Sequence, residues 1–497
     1  MWKIIVVVLF PLCYGGVPNG IVSDWAVFST KTLYRWAHSV AQPSENSGFN
    51  EVYNDRLCEA VHMSMLLRHG ARYPSDGSVE EINDIHERLK DGKSINVFPE
   101  LETWTSPYTE PLASTLNAEG KEEHRLLGQR TALRFRRLFQ RNGQYIRFIS
   151  SDKQRTRASA NSFYGGLYNA TGDCLYGNQR CAPPTGIANI APTNLTIDDK
   201  IIRFYDGCDK YENDIEDNDD YFKEFKKYEK TEEFLNITKS IRAKLGLPSG
   251  FALSSTDVYT LYELCAYDQY TLEPPSPPFW CRLLSNGDRE ILEYGQDLEK
   301  WLESMYGDPL TSRVACPLVR HMLGNLKAAM NTSWDYSNIT QEQANRGYTA
   351  ANFLFGHSET VAQLMATLGL YKDNTPLLAT NREALRDRKF KSSKLLPFSA
   401  NLAFVLYACK AGPNDDNPDN KFLVKMFVNE EVVRIPGCNA DACPLDTMLQ
   451  QYANITNSCD IEKICDDDDD DISGTSVIII NTTVFIATLL LSALSCS

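Results

Sequence analysis

Positive charge is in short supply in this chain of 497 residues: 50 Lys and Arg stand against 65 Asp and Glu, a net charge of −15. That deficit argues against broad, sequence-independent nucleic-acid binding, which needs a basic surface. Cys-x-x-Cys pairs are absent although there are 14 cysteines, which argues against a zinc site of the usual spacing. No internal repeat recurs, so nothing suggests a solenoid or an array. The body of the chain has no apolar run of the roughly 20 residues that a membrane helix needs. Apolar residues at 43% and charged residues at 23% fit neither a disordered chain nor a polytopic membrane protein. The length is enough for two or three domains.

The ends differ from the body. Met1-Trp2-Lys3, apolar residues 4–10 and the small Gly15 read as a secretory signal peptide over residues 1–15. At the other end, apolar residues 477–480 and 484–494 flank Asn481-Thr482-Thr483, with no Lys or Arg beyond them. Small residues stand upstream, so the order fits a GPI-attachment signal with Ser473 or Gly474 as the attachment residue and 475–497 removed. A single C-terminal membrane helix is the alternative. Residues 461–474, with an unbroken acidic run at 466–471, then read as a solvated stalk. Setting aside Cys13 and Cys496 leaves twelve cysteines, an even number that suits an oxidising compartment. Close pairs such as Cys174/Cys181, Cys438/Cys443 and Cys459/Cys465 are candidates for local bridges, though spacing leaves the connectivity open. Sequons at Asn169, Asn194, Asn236, Asn331, Asn338 and Asn454 are expected to carry glycans on surface loops. The expected location is the cell surface, reached through the secretory pathway, with the membrane a partner through a lipid anchor.

Three segments share one pattern: an apolar strand, a polar turn, then a helix. Residues 61–67 run into Arg68-His69-Gly70-Ala71-Arg72-Tyr73-Pro74. Residues 145–149 run into Ser150-Ser151-Asp152-Lys153-Gln154-Arg155-Thr156, with a helix expected over 158–167. Residues 351–355 run into Gly356-His357-Ser358-Glu359-Thr360, with a helix over 361–368 closed by Gly369. Such repetition predicts an α/β fold with a mostly parallel sheet flanked by helices, and ligands bind beyond the carboxyl ends of its strands. All three turns fall at that edge. Residues 45–167 and 346–460 form the expected core. Between them, 168–345 lacks strong strand signals and reads as an inserted α-helical cap. Strands resume at 401–409, followed by a hairpin of 422–428 against 432–435.

The first turn carries the most chemistry. Two Arg flanking a His at a strand's end suit a phosphate, because guanidinium forks match its oxygens. Gly70 lets backbone approach the ligand, and nearby cations keep the imidazole neutral and nucleophilic. Arg155 precedes a helix whose N-terminal dipole favours an anion. A protonated Glu359 can donate to a leaving alkoxide, provided its surroundings raise its pKa. Taken alone, His357-Ser358-Glu359 is equally a capped helix start with Ser358 as the N-cap. Together the turns supply a nucleophile, an anion clamp and an acid, which is the equipment of phosphoryl transfer.

The first turn matches R-H-G-x-R-x-P, and the chain thereby resembles the histidine acid phosphatases. The H-x-E-T pattern at His357-Ser358-Glu359-Thr360 and the segment Pro397-Phe398-Ser399-Ala400-Asn401 resemble the multiple inositol polyphosphate phosphatase branch. The resemblance spans roughly residues 50–460. It implies a histidine phosphatase/phosphoglycerate mutase-like core with a helical cap. It also implies a phosphohistidine at His69, phosphoryl oxygens held by Arg68, Arg72, Arg155 and His357, and Glu359 as proton donor. No metal or other cofactor is implied, the arginines supplying the positive charge. The implied partner is a small polyanionic phosphate ester: phytate, lower inositol polyphosphates, or 2,3-bisphosphoglycerate. Vertebrate members tend to end in a retention tetrapeptide, whereas this chain ends Leu494-Ser495-Cys496-Ser497.

Polyphosphates call for further cations in the cleft. Two strips are candidates: Arg382, Arg386, Arg388, Lys389, Lys391 and Lys394, and the helix with Arg125, Arg130, Arg134, Arg136 and Arg137. Each is equally a solvated basic face. Lys391 and Lys394 are preferred because they precede the branch-like segment. Two other functions compete, a low-specificity histidine acid phosphatase and a catalytically silent surface binding protein.

Overall fold

The longest strand grows out of the apolar run before the first turn. The computed structural model describes residues 27–53, 56–91, 97–142, 146–171, 195–271, 278–330, 349–409 and 422–466. In it, β2 (Arg56–Arg68) lies between β5 (Ala351–Gly356) and β6 (Asn401–Cys409). Beyond β5 come β3 (Ile146–Ser150) and the short β4 (Leu195–Ile197), so the path runs β4-β3-β5-β2-β6-β7-β8. β7 is Phe422–Val428 and β8 is Glu431–Val433. Two short strands, β1 (Asn50–Tyr53) and β9 (Ala442–Pro444), pair with β2 and β7. The expected sheet flanked by helices is present, and it is mixed. Parallel pairing joins β4, β3, β5 and β2, and the remaining pairs are antiparallel.

The parallel half positions the site. Arg68 pairs with Gly356 across β2 and β5, and Ser150 pairs with Phe355 across β3 and β5. Three neighbouring strands therefore release their three polar turns at one edge, almost level with one another. Side-chain alternation sorts the two faces. Met63, Met65, Leu67, Phe353 and Phe355 face one core layer, whereas Leu66 and Leu354 face the other.

Eight helices among the described residues have ten or more residues: α1 (Asp76–Asp91), α2 (Ala118–Arg134), α3 (Gln154–Thr171), α4 (Glu232–Lys244), α5 (Ser255–Thr271), α6 (Asn286–Ser304), α7 (Cys316–Met330) and α8 (Ser358–Thr367). α2 and α3 cover the Met65/Phe353 face through Leu127, Phe163 and Leu167. They cross closely because Gly128 and Gly166 have no Cβ; one there would run into the other helix's backbone. α7, α8 and the cap helices α4, α5 and α6 share the other layer. The hairpin expected near 422–435 forms from β7 and β8. Its turn residues Asn429 and Glu430 both have positive φ, the backbone that matches the twist of two-residue hairpins.

Several expectations need correction. The inserted segment is not strand-free, since Leu195–Ile197 adds to the sheet beside β3. Cys438–Cys443 forms as spacing suggests, but Cys459 and Cys465 do not bridge each other. They pair with Cys316 and Cys208, whose sulfurs the packing of the chain brings beside them. Residues 461–464, assigned to a stalk, instead form a short helix capped by the bridged Cys465. Cys58–Cys409 staples facing positions of β2 and β6, and Cys265–Cys281 lies within the cap. Of the sequons, Asn236 and Asn454 are exposed but lie on helices rather than loops, and Asn169 also belongs to a helix. Asn194, Asn331, Asn338, Cys174, Cys181, the signal peptide, Ser473 and Gly474 lie outside the described residues. Among those described, no helix is long and apolar enough to cross a membrane.

Candidate active site

Gly70 decides how the first turn sits. A Cβ there would strike the backbone of Gly120 at the start of α2, and one on Gly120 would strike Ala71. The two glycines let the turn after β2 press against α2, where Glu123 ties it down. That buried carboxylate accepts from the backbone N–H of Tyr34 (2.9 Å) and Ala71 (3.0 Å) and from Ser399 Oγ (3.1 Å). Ser399 adopts a left-handed φ of 59°, and its N–H donates to the carbonyl of His69. His124 Nε2 donates to the Arg68 carbonyl (3.0 Å), and Gly70 N–H donates to Ser159 Oγ (3.1 Å). The turn is held from four sides.

His69 is buried, and its Nδ1–H donates to the carbonyl of Gly70 (2.8 Å). That bond selects the tautomer with a lone pair on Nε2, the form a nucleophile needs. Burial, then Arg155, Arg68, His357 and Arg72, hold the ring well below the usual histidine range, so it is neutral. Arg68 is buried beneath it, stacked 4.6 Å over Phe398, with one terminal nitrogen donating to Thr30 O (2.6 Å) and to the carbonyl of Leu396. Burial lowers its pKa to about 10, which leaves it a cation. The Nε donors of Arg68 and Arg155 are buried with no hydrogen-bond partner among the described residues, as donors reserved for an anion would be.

His357 follows β5, its ring centroid 5.6 Å from that of His69. Arg155 donates to its Nδ1 (3.3 Å), so Nε2–H faces Ser151 Oγ (2.9 Å). Ser151 in turn meets Thr156 Oγ1 (2.8 Å), which donates to the carbonyl of Lys153. This relay fixes the tautomer, and burial followed by Arg155 lowers the His357 pKa to about 3. His357, not Ser358, is the N-cap residue of α8; its backbone N–H donates to Thr360 Oγ1 (3.1 Å). Ser358 thus becomes the first helical residue and donates to Glu359 Oε1 (2.8 Å).

The six residues expected in the three turns converge. Arg68, His69, Arg72, Arg155, His357 and Glu359 line one cavity of about 400 Å³. Glu359 sits in a setting the sequence did not announce. Burial alone would raise its pKa, but Lys300 Nζ, 2.9 Å from Oε1, and its own backbone N–H outweigh this and hold it well below the usual carboxylate range. Lys300 comes from the cap helix α6 and also pairs with Glu303 (2.6 Å). Gln296, Glu299, Lys300 and Glu303 recur at helical spacing along α6 and form the cap wall, with Glu263 from α5 paired to Lys31 (2.9 Å). Ser29 and Thr30 complete the rim. The one signal for these cap residues was the helical recurrence of polar residues, which any solvated helix shares.

The preferred cleft lysines are elsewhere. Lys391 and Lys394 line a separate cavity of about 220 Å³ with Arg382, Arg386 and Arg388, behind the segment whose Leu396 carbonyl accepts from Arg68. Arg382 pairs with Glu233, and Arg388 with Asp297. The other strip is spent on structure: Arg130 forks onto Glu430 (2.7 and 2.9 Å), and Arg125 pairs with Glu122. Arg136 and Arg137 meet Glu45 and Glu59, and Arg134 donates to the Glu430 carbonyl. Among the described residues no cluster of three or more His, Cys, Asp or Glu is arranged to hold a metal ion.

A buried neutral histidine ringed by arginines, at the carboxyl edge of parallel strands and under a helical cap, defines a class of phosphate-handling protein. The chain belongs to the histidine phosphatase superfamily (branch 2), whose family model matches residues 59–429. Within that class it is similar to multiple inositol polyphosphate phosphatase 1 of Homo sapiens, with 28% identity over 452 residues covering 88% of each chain. The protein of that name from Gallus gallus is also 28% identical, covering 82% of this chain and 85% of its own. The fold is similar to the multiple inositol polyphosphate phosphatase of Bifidobacterium longum solved with inositol hexasulfate. There the TM-score is 0.65 at 17% identity, covering 86% of this chain and 97% of that one.

Proposed function

We propose that this chain hydrolyses phosphomonoesters of inositol polyphosphates through a phosphohistidine. One observation carries the chemistry: the Nδ1–H bond of His69 to its neighbour's carbonyl, in a ring of Arg68, Arg72, Arg155 and His357. In the first step His69 Nε2 attacks phosphorus and the bond to the inositol oxygen breaks. Glu359 gives its proton to that oxygen. In the second step Glu359 takes a proton from water, the water oxygen attacks phosphorus, and the P–N bond breaks to release phosphate. The arginines hold the equatorial oxygens throughout. The substrate class rests on the similarity to inositol polyphosphate phosphatases over most of the chain.

A second reading, low-specificity hydrolysis of small phosphate esters, is favoured by the carboxylates of the cap wall, Glu263, Glu299 and Glu303, which disfavour a polyanion. Turnover of phytate against a simple phenyl phosphate decides between them. A higher kcat/KM for the phenyl ester would reject the first reading. A silent binding protein, in turn, would release no phosphate from either ester.

Five disulfides among the described residues support maturation in an oxidising compartment, hence a secreted or extracellular protein. The finer reading, GPI attachment at Ser473 or Gly474, rests on the C-terminal sequence alone. Release of the protein from intact cells by a phosphatidylinositol-specific phospholipase is the expected result. Retention after treatment would favour the membrane-helix alternative.

A further inference from the structure

As a general acid, Glu359 needs a proton, yet Lys300 and its own backbone N–H hold it as an anion. Lys300 Nζ lies 2.9 Å from Glu359 Oε1 and 2.6 Å from Glu303 Oε2, so one ammonium is shared by two carboxylates. The same cavity is lined by five cations (Lys31, Arg68, Arg72, Arg155, Lys300) and four carboxylates (Glu263, Glu299, Glu303, Glu359). Both cations on the cap and N-terminal side, Lys300 and Lys31, are engaged by carboxylates. A phosphate that reaches the cap side must therefore displace a carboxylate from an ammonium group, and the displaced carboxylate loses its counter-ion while gaining an anionic neighbour.

We infer that Lys300 is an exchangeable counter-ion: an entering substrate phosphate takes it from Glu359, and Glu359 then binds the proton it delivers to the leaving oxygen. The inference rests on the reading of the site as one for inositol polyphosphates. The exchange balances simply. Lys300 keeps its three protons and its charge, and its contact passes from a carboxylate to a phosphate oxygen. Glu359 gains one proton from solvent. Loading the acid is thereby coupled to substrate binding, so a carboxyl that is an anion beside Lys300 becomes a donor when the ester is in place.

Arg68 and Arg155 also face Glu359 and favour its anion until phosphate oxygens occupy them; the remaining neighbours do not oppose the exchange. On α6 itself, Glu299 and Glu303 face Lys300, and burial pushes Glu299 up to about 7. From α8 come Glu359 and, at its N-cap, His357; from the N-terminal turn Lys31; from α5 Glu263. Tyr205, Asp206, Tyr211 and Glu216, from the turns before α4, also face Glu359. With phosphate on Lys300, every carboxylate in this set meets more negative charge, which drives each toward its protonated form.

Inositol hexasulfate is the probe, because its sulfates do not titrate near neutrality and any proton taken up belongs to the protein. Binding is measured calorimetrically at about pH 6 in two buffers of different ionisation enthalpy. The expected result is net uptake approaching one proton per ligand, retained in Lys300→Arg and at least halved in Lys300→Gln. The affinity of the unmodified protein should correspondingly fall up to about tenfold per pH unit as pH rises. This second measurement stands even if Lys300→Gln does not fold. Binding without proton uptake, with pH-independent affinity, or with full uptake in a folded Lys300→Gln variant overturns the exchange while leaving the substrate reading intact. Failure of the hexasulfate to bind overturns both.

Discussion

His69 must be neutral to attack phosphorus, and its burial among Arg155, Arg68 and His357 keeps it so. Its pKa lies below that of a free histidine, so a falling pH does not protonate it near the ordinary value of about 6.5. Glu359 imposes the opposite demand, because the rate is lost once its proton is gone. We therefore expect kcat/KM to show no loss from His69 on acidification below about pH 6.5, and kcat, which reports the proposed acid Glu359 in the substrate complex, to decline on the alkaline side. An acid limb at the ordinary histidine value would refute the neutral-ring account. Glu359→Gln should lower phytate turnover by roughly 10²–10⁴-fold. In the first step, read as the burst of released alcohol, the loss should be much smaller for a nitrophenyl ester, whose leaving group needs no proton. Equal losses on both would deny Glu359 the role of acid. These residues were legible in the sequence because each sits at a fixed offset from a strand's end. Lys300 was not, since a charged residue on a helix carries no mark of which wall it faces. Lys391 and Lys394 misled for a related reason. Proximity along the chain to Phe398 does not say which side of the segment 391–396 a side chain takes, and theirs line the cavity behind it.

The sheet's parallel half and the start of α2 carry the geometry at the level of elements. Gly70 and Gly120 set the approach of the first turn to α2, and a side chain on either would strike backbone rather than a flexible neighbour. Gly70→Ala should lower stability by about 1–3 kcal/mol. It should also cut activity more than a substitution of equal cost far from the turn, because it displaces His69. Thermal unfolding and phytate assays on the same variant check both effects; unchanged activity in a destabilised protein would show that the turn tolerates the shift. Strand-turn-helix repetition announced β2, β3 and β5, since apolar runs ending in polar turns are a local signal. β4 escaped notice because three residues, two of them exposed, carry almost no pattern. The disulfides divided along the same line. Spacing offered Cys438–Cys443 and Cys459–Cys465 alike as local rings; the first forms, whereas Cys208–Cys465 and Cys316–Cys459 depend on packing that spacing does not encode.

Those two long-range bridges tie the C-terminal segment to the body at the scale of the whole molecule, across sequence separations of 257 and 143 residues. Loop closure of that size restricts the unfolded chain strongly, so replacing Cys316 and Cys459 by Ala should cost about 2–5 kcal/mol. Denaturant unfolding measures the loss; an unchanged midpoint would show that packing alone holds the segment. The net charge of −15 describes the surface, while the cavity gathers Arg68, Arg72 and Arg155 around the neutral imidazoles of His69 and His357. An acidic bulk and a local arginine cluster coexist because buried charges act at contact distance, whereas surface charges are screened within about 10 Å. The central claim is that the phosphoryl group passes through His69. Acid-sensitive phosphate trapped during turnover of radiolabelled phytate, under alkaline quench and mapped by peptide, tests it most directly. The account predicts label on the peptide containing His69 and none in His69→Ala; label on another residue, or undiminished phosphate release by His69→Ala, would contradict it.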